Sequence, residues 1–428
     1  MTQTRRMAPS GIAIFTALLL QACGSSSSTS SASVRLINAT NIQASLDLLS
    51  SVSDATSAVL RDSASSCVSI AEGSASLQVN SAGSSTARVS TSTPLTKDVS
   101  YSFIAYEVSG TAKLATLTEN SSTPTTGTAQ WRVLNLATRA GALDVYLTDT
   151  GTELSTVGSS TMSLASSTSA TSSSLTLVTP GTYRLRVTGS GNIADLSLDL
   201  PPVVISNQQV VTMLLTPPAG ASLLNGVWVP EKASVTAVRN AKARVRLVAA
   251  VSGSSTVAAS AGGTVISSGS MVPAVSEYVV VPTGSLSVSV GGVALNTSAL
   301  TLTAGSAGSL LVFGSPGAAT ATTKLDNNFA PSSSNSVKLR LLNGLTGTPV
   351  GLILNTDFAV LASNVQPGQV SAPALATAST AMRVDVTSAL TQQSVYLQSA
   401  LNLSAGSVYT LFMLGDSASP VGVLRKDR

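Results

Sequence analysis

The sequence predicts an all-β protein of tandem immunoglobulin-like antiparallel β-sandwich domains, and three observations predict it. Apolar and polar residues alternate at period two in short runs bounded by Gly, Ser, Asn and Pro. Helical periodicity of useful length is hard to find after residue 23. A domain-sized block recurs four times. The nearest helical candidate, 44–60, holds the strand-like run Leu46-Asp47-Leu48-Leu49, which argues against its first half.

Each block opens on an apolar residue, an arginine and two more apolar residues, centred on Arg35, Arg132, Arg246 and Arg340. These arginines lie 97, 114 and 94 positions apart, a domain-sized period. Twelve residues after Arg35 stands Asp47, and twelve after Arg132 stands Asp144; the same offset gives Ala258 and Leu352 in the later blocks. An alternating strand follows near the middle of each block: Leu77/Val79, Tyr183/Leu185/Val187, Leu286/Val288/Val290 and Met382/Val384/Val386. A more continuous apolar run closes it, at 101–106, 210–215, 310–313 and 409–414. The expected units are 34–120, 131–220, 243–325 and 337–428, the second lengthened by a Ser/Thr-rich loop over 158–174. Within it, Tyr183–Thr188, the turn residues Gly189–Asn192 and Leu196/Leu198/Leu200 read as a hairpin. Several short strands per hundred residues fit a sandwich. Aromatic residues are only 4% of the chain, so Val, Leu, Ala and Ile must fill the cores.

The N-terminal segment is laid out as a secretory signal: Arg5 and Arg6, an apolar run from Ile12 to Leu20, and the small residue Ala22 before Cys23. The apolar run is shorter than the ~20 residues a membrane span needs. Leu20-Gln21-Ala22-Cys23 resembles the lipobox of bacterial lipoproteins, which implies cleavage after Ala22 and lipidation (thioether plus palmitate-type acyl chains) of Cys23. Residues 1–22 are then the signal peptide and 23–33 a Ser-rich tether. Gly24 stands where an aspartate would imply retention at the inner membrane, so the expected location is the cell envelope, at the outer membrane. Lipidation of Cys23 would leave Cys67 as the only thiol, expected as a small buried side chain without an internal disulfide.

The repeat resembles a known family, the domain of unknown function 4397, found in tandem in secreted and lipid-anchored microbial envelope proteins. That family opens on apolar-Arg-apolar-apolar-His with an aspartate twelve residues after the arginine. Arg35/Asp47 and Arg132/Asp144 match that spacing; Asn38, Asn135, Ala249 and Asn343 take the histidine position. The resemblance extends over most of 34–416 and implies architecture and envelope location; the family carries no assigned activity.

Composition removes most chemistry. The chain contains no histidine and two cysteines, which excludes a Ser-His-Asp triad, an imidazole base and thiolate zinc clusters. Loss of residues 1–22 removes Arg5 and Arg6 and no acid, leaving 21 basic against 19 acidic residues; no basic patch for nucleic acid appears. Gly189-Ser190-Gly191-Asn192-Ile193-Ala194 fits a loose dinucleotide pattern, but the alternation after it belongs to a strand, so it reads as a turn. Asp326-Asn327-Asn328 lacks the spacing of a calcium loop and reads as a linker turn. Trp131 falls at a core position, while Trp228 lies between units. Arg35 with Asp47, and Arg132 with Asp144, are expected as structural cross-strand ion pairs. No catalytic, cofactor or metal residue is singled out. The expected partners are the membrane, through the lipid, and an envelope protein or glycan. A non-enzymatic structural or binding module leads; a glycan- or cell-binding adhesin and a hydrolase using carboxylates alone are the alternatives.

Overall fold

The structure, a computed structural model, describes residues 30–50, 54–217, 223–326 and 328–428. The signal peptide, Ala22 and Cys23 lie outside the described residues. The regular structure of the described chain is strand, apart from two short 3₁₀ turns. The 44–60 stretch forms two strands, Ser45–Ser50 and Asp54–Leu60, and no helix. No described helix is long and apolar enough to cross a membrane, which says nothing of strands.

Among the described residues, eight sheets make four two-layered sandwiches, and none of these sheets closes into a barrel. One sheet of each unit is built on its opening strand: Ser31–Asn38, Ala129–Asn135, Lys242–Val251 and Ser336–Thr346. The closing strands, Ser100–Val108, Val210–Thr216, Ala307–Gly314 and Val408–Asp416, lie beside them. Each opening–closing pair is parallel, the one departure in every unit from antiparallel pairing. A final strand then pairs antiparallel with the closing strand: Thr111–Thr118, Asn225–Pro230, Thr320–Leu325 and Ser419–Lys426.

In unit two the final strand and a short strand over Thr236–Val238 carry the sheet past the expected end at 220. Trp228 sits in that extension, 7% exposed, and packs into the same core as Trp131. It is therefore a core residue of unit two and not an inter-unit side chain. The expected hairpin forms from Gly181–Gly189 and Asn192–Asp199, with Gly191 at φ +72° in its turn. That left-handed conformation suits glycine and settles the dinucleotide-like run as a turn.

Period-two alternation sorts the opening strand into two faces. Val34 and Leu36 enter the core of unit one, and Val133, Val245/Leu247 and Leu339/Leu341 do the same in the other units. Ile37 and Ile104 point the other way, into an apolar cluster shared with Leu134, Leu214, Val227 and Val229 of unit two. Val248 and Leu311 of unit three likewise meet Leu342, Phe412 and Leu414 of unit four. The units thus pack in two pairs, through the backs of their arginine-bearing sheets. Burial on both faces explains why the closing strands read as unbroken apolar runs.

Candidate functional site

The recurring arginines lie on the backs of those sheets. Because Val34 and Leu36 face the core, Arg35 between them must face outward, toward the neighbouring unit. Directly across the parallel ladder from each arginine stands a hydroxyl: Ser102, Thr212, Ser309 and Thr410. Each arginine Nε donates to that hydroxyl, at 2.7, 3.0, 2.9 and 2.8 Å in chain order. A carboxylate follows the last residue of each final strand: Glu119, Glu231, Asp326 and Asp427. Arginine, hydroxyl and carboxylate therefore recur four times as one constellation.

In unit one the Arg35 guanidinium meets Glu119 at 2.6 Å, and Ser102 donates to the same carboxylate oxygen. The guanidinium also crosses to unit two: Nη1 donates to the carbonyl of Ala233, and Nη2, besides meeting Glu119, donates to that of Pro230 at 3.3 Å. Unit two is looser: Arg132 comes only within 4.0 Å of Glu231, which accepts instead from Ser121 of the preceding segment at 2.7 Å. Burial lowers the Arg132 pKa against the opposing pull of Glu231. Burial raises the Glu231 pKa, and the Ser121 hydrogen bonds only partly counter it.

Units three and four form a closed ionic network. Arg246 meets Asp427 of the partner unit at 2.5 Å and its own Asp326 at 3.6 Å. Arg340 pairs with Asp326 across the interface and reaches its own Asp427 at 3.8 Å. The Tyr278 hydroxyl donates to Asp326 at 2.5 Å, and its ring lies 4.5 Å beneath the Arg246 guanidinium. Burial alone would raise the Asp326 carboxyl, but Arg340 and Arg246 override it and hold the group below its ordinary value. The same burial pushes the Tyr278 phenol well above its usual value, with the two carboxylates adding to the shift.

These contacts correct the expected ion pairs. Asp47 lies between the inward-facing Leu46 and Leu48 on the opposite sheet from Arg35, so the two side chains point outward on opposite sides of the core. Asp47 instead accepts the backbone N–H groups of Ala58 (2.7 Å) and Gly83 (2.8 Å). Asp144 does the same for Gly191 N–H at 2.7 Å, and takes Ser163 Oγ at 2.5 Å. The acid twelve residues on is a turn cap, not an arginine partner. Asp326, in the stretch read as a linker turn, directly follows the final strand of unit three and sends its side chain into the interface network. Asn38, Asn135 and Asn343, at the family's histidine position, each accept the N–H two residues ahead through Oδ1. They clasp the end of the opening strand as Asx turns do.

Cys67 also departs from expectation: it is half-buried and not fully buried. Among the described residues no group of three or more acidic or cysteine side chains could hold a metal ion. Asp326 and Asp427 do converge, but with fully buried side chains neutralised by two guanidiniums. Such a pair offers a substrate neither access nor a proton.

These features define a class of tandem β-sandwich protein whose units are welded in pairs by a repeated arginine-led contact. The chain belongs to the family of the domain of unknown function DUF4397, whose model matches residues 32–146 and 243–350. Each match runs through one odd-numbered unit into the opening strands of the next, leaving most of units two and four outside it. No curated protein matches the chain. Among solved structures, the Bacillus anthracis TIE protein aligns at 9% identity over 87% of this chain and 65% of its own length, with a TM-score of 0.13. A candidate cell adhesion protein from Bacteroides uniformis aligns at 12% identity over 71% and 98%, with a TM-score of 0.16. The multi-modular glycogen-degrading pneumococcal virulence factor SpuA gives 7% identity over 85% and 37%, also at 0.16. Likenesses at these levels carry no argument about function.

Proposed function

We propose that this protein is a lipid-anchored component of the bacterial cell envelope, at the outer membrane, serving as a non-enzymatic structural or binding module. The observation that carries the reading is the order of parts. An arginine-led apolar run ends in Leu20-Gln21-Ala22-Cys23, a Ser-rich tether follows, and the first strand starts at Ser31. Two or three acyl chains on one cysteine exceed the marginal anchoring of a single chain. The welded pairs then serve as rigid spacers beyond the membrane surface.

A sulfur in thioether linkage cannot also join a disulfide, and the chain has two cysteines. The anchored form therefore requires Cys67 as a thiol or bridged to another molecule. Fractionation with peptide mass spectrometry decides the matter: wild type should partition with membranes and carry diacylglycerol on Cys23. Cys23→Ser should be released, with its sandwiches still folded. Recovery of Cys23→Ser in the membrane fraction, or of an unmodified Cys23 peptide bridged to Cys67, overturns the anchor.

An adhesin role is the second reading. Unit four exposes Phe358 (81%) and Leu390 (88%) on turns, along with Val360, Leu375, Leu397 and Val421 on its strands. Glycan-array binding that disappears in Phe358→Ser would favour it.

A further inference from the structure

The junction of units two, three and four carries a buried surplus of positive charge. Arg244, fully buried, pairs with Asp195 of unit two, and Arg428 reaches the same carboxylate at 3.6 Å. Among the described residues no other side-chain carboxylate pairs with either guanidinium, so the two cations share one side-chain anion. The neighbouring network supplies nothing, since Arg246 and Arg340 already balance Asp326 and Asp427. Nε and Nη2 of Arg244, and Nη1 of Arg428, have no hydrogen-bond partner although buried. The Tyr278 ring, 4.4 Å from the Arg244 guanidinium, offers a π-face but accepts no in-plane N–H. Arg428 is held in place by its Nη2 bond to Ser197 Oγ at 2.5 Å and by Val408 N–H, which donates to its main-chain oxygen at 2.9 Å.

A cleft of about 300 Å³ opens between units two and four at this point. Arg428 lines it together with Ser190, Asn192, Ser407 and Lys426. Lys426 is exposed and has no carboxylate partner among the described residues. The acids at its wall are spoken for: Asp195 by the two arginines, Asp427 by Arg246 and Thr410.

We propose that this cleft binds a single oxyanion group, phosphate or sugar carboxylate, between Arg428 and Lys426. An uncompensated buried guanidinium is costly, and an anion that supplies acceptors to it offsets that cost. Hydroxyl and amide groups of Ser190, Asn192 and Ser407 complete a polar lining suited to a phosphate or a uronate ring. Burial lowers the Arg428 pKa, with Asp195 opposing and Arg244 adding to the fall, in keeping with a cation short of counter-charge. The inference does not depend on where in the cell the protein sits.

The test is a thermal-shift and calorimetric titration of the full mature chain with inorganic phosphate, galacturonate and galactose at constant ionic strength. At least one anion should raise the melting temperature in a concentration-dependent way, as a ligand of the folded state must. Galactose should not. A response to phosphate alone assigns a phosphate ligand, and a response to galacturonate assigns an acidic sugar. Lys426→Ala, at the exposed rim, should keep the unliganded melting temperature and weaken binding at least fivefold. Arg428→Gln should abolish it. No response to either anion, an equal response to galactose, or unchanged binding in Lys426→Ala overturns the proposal.

Discussion

On the facing sheets of units one and two, Arg35 pairs with Glu119 inside unit one at 2.6 Å while Arg132 and Glu231 inside unit two stop 4.0 Å apart, and the shared apolar cluster includes Ile37, Ile104, Leu134, Leu136, Leu214, Val227 and Val229. Between units three and four, two arginines and two aspartates interlock at contact distance beneath a tyrosine, and the apolar cluster is smaller. The first pair thus keeps its ion pairs within each unit beside a larger aliphatic contact, and the second crosses its ion pairs between units beside a smaller one. Apolar contact is non-directional and tolerates a loose ion pair beside it. A buried ionic network stabilises only when every member is matched, and it is correspondingly fragile. Repetition of the same parts does not make the two interfaces energetically alike.

The sharpest way to break that comparison is to remove one arginine from each pair. Arg340→Met leaves Asp326 and Asp427 with a single buried guanidinium, and should cost about 3–5 kcal/mol, the range for stranding a buried charge. Arg132→Met removes a distant, partly solvated partner and should cost no more than about 1 kcal/mol. Hydrogen exchange in the closing strands 408–416 and 210–216 reads the two losses separately. Equal losses would show that the ion network adds nothing beyond the apolar contact.

Acid titration sharpens the comparison, because the two pairs should respond with opposite sign. Asp326 has a folded pKa below its ordinary 3.8, so its contribution is complete above that value. It is lost as pH falls through the lower folded value. Glu231 has a folded pKa above its ordinary 4.5, so ionisation works against the fold at neutral pH. That penalty disappears as pH falls through the raised value toward 4.5. Mild acid should therefore protect strands 210–216 from exchange while leaving 408–416 unchanged, and stronger acid should open 408–416. Parallel behaviour of the two strands would remove the distinction.

Much of the fold is legible in the residues. The alternation around Leu77/Val79 and Tyr183/Leu185/Val187 marks half-buried strands, and the fourfold arginine spacing marks the units. The continuous run over 409–414 also signals burial on both faces, and hence that units pack back to back. The carboxylate partner of each arginine was less legible. Asp47 and Asp144 sit at a fixed offset in sequence, yet strand polarity turns them away from the arginines on the opposite sheet. The true partners also recur, since hydroxyl and acid are separated by 17, 19, 17 and 17 residues. What sequence does not carry is the crossing of Arg246 to Asp427 and Arg340 to Asp326, because docking between units decides it.

Removing the turn caps tests that reassignment with a smaller effect. Asp144→Asn keeps the size but weakens a charge-assisted acceptor for Gly191 N–H, and should cost about 1 kcal/mol. Protection should fall at the 189–192 turn and not at Arg132. A change centred on strand 129–135 would restore the original arginine–aspartate pairing.

The smallest expected effect concerns Glu231, where the comparison predicts a gain. Glu231→Gln keeps an acceptor for the Ser121 hydroxyl and removes a charge that burial disfavours. Arg132 loses little, since its Nε bond to Thr212 remains and its carboxylate contact was 4.0 Å long. The substitution should leave the first pair unchanged or more stable by up to about 1 kcal/mol, whereas Asp427→Asn in the second pair should be destabilising. In a double-mutant cycle, Arg132→Met with Glu231→Gln should show coupling near zero, and Arg246→Met with Asp427→Asn a coupling of about 1–3 kcal/mol. Strong coupling at Arg132 would mean that its contact with Glu231 acts as a working ion pair despite its 4.0 Å length.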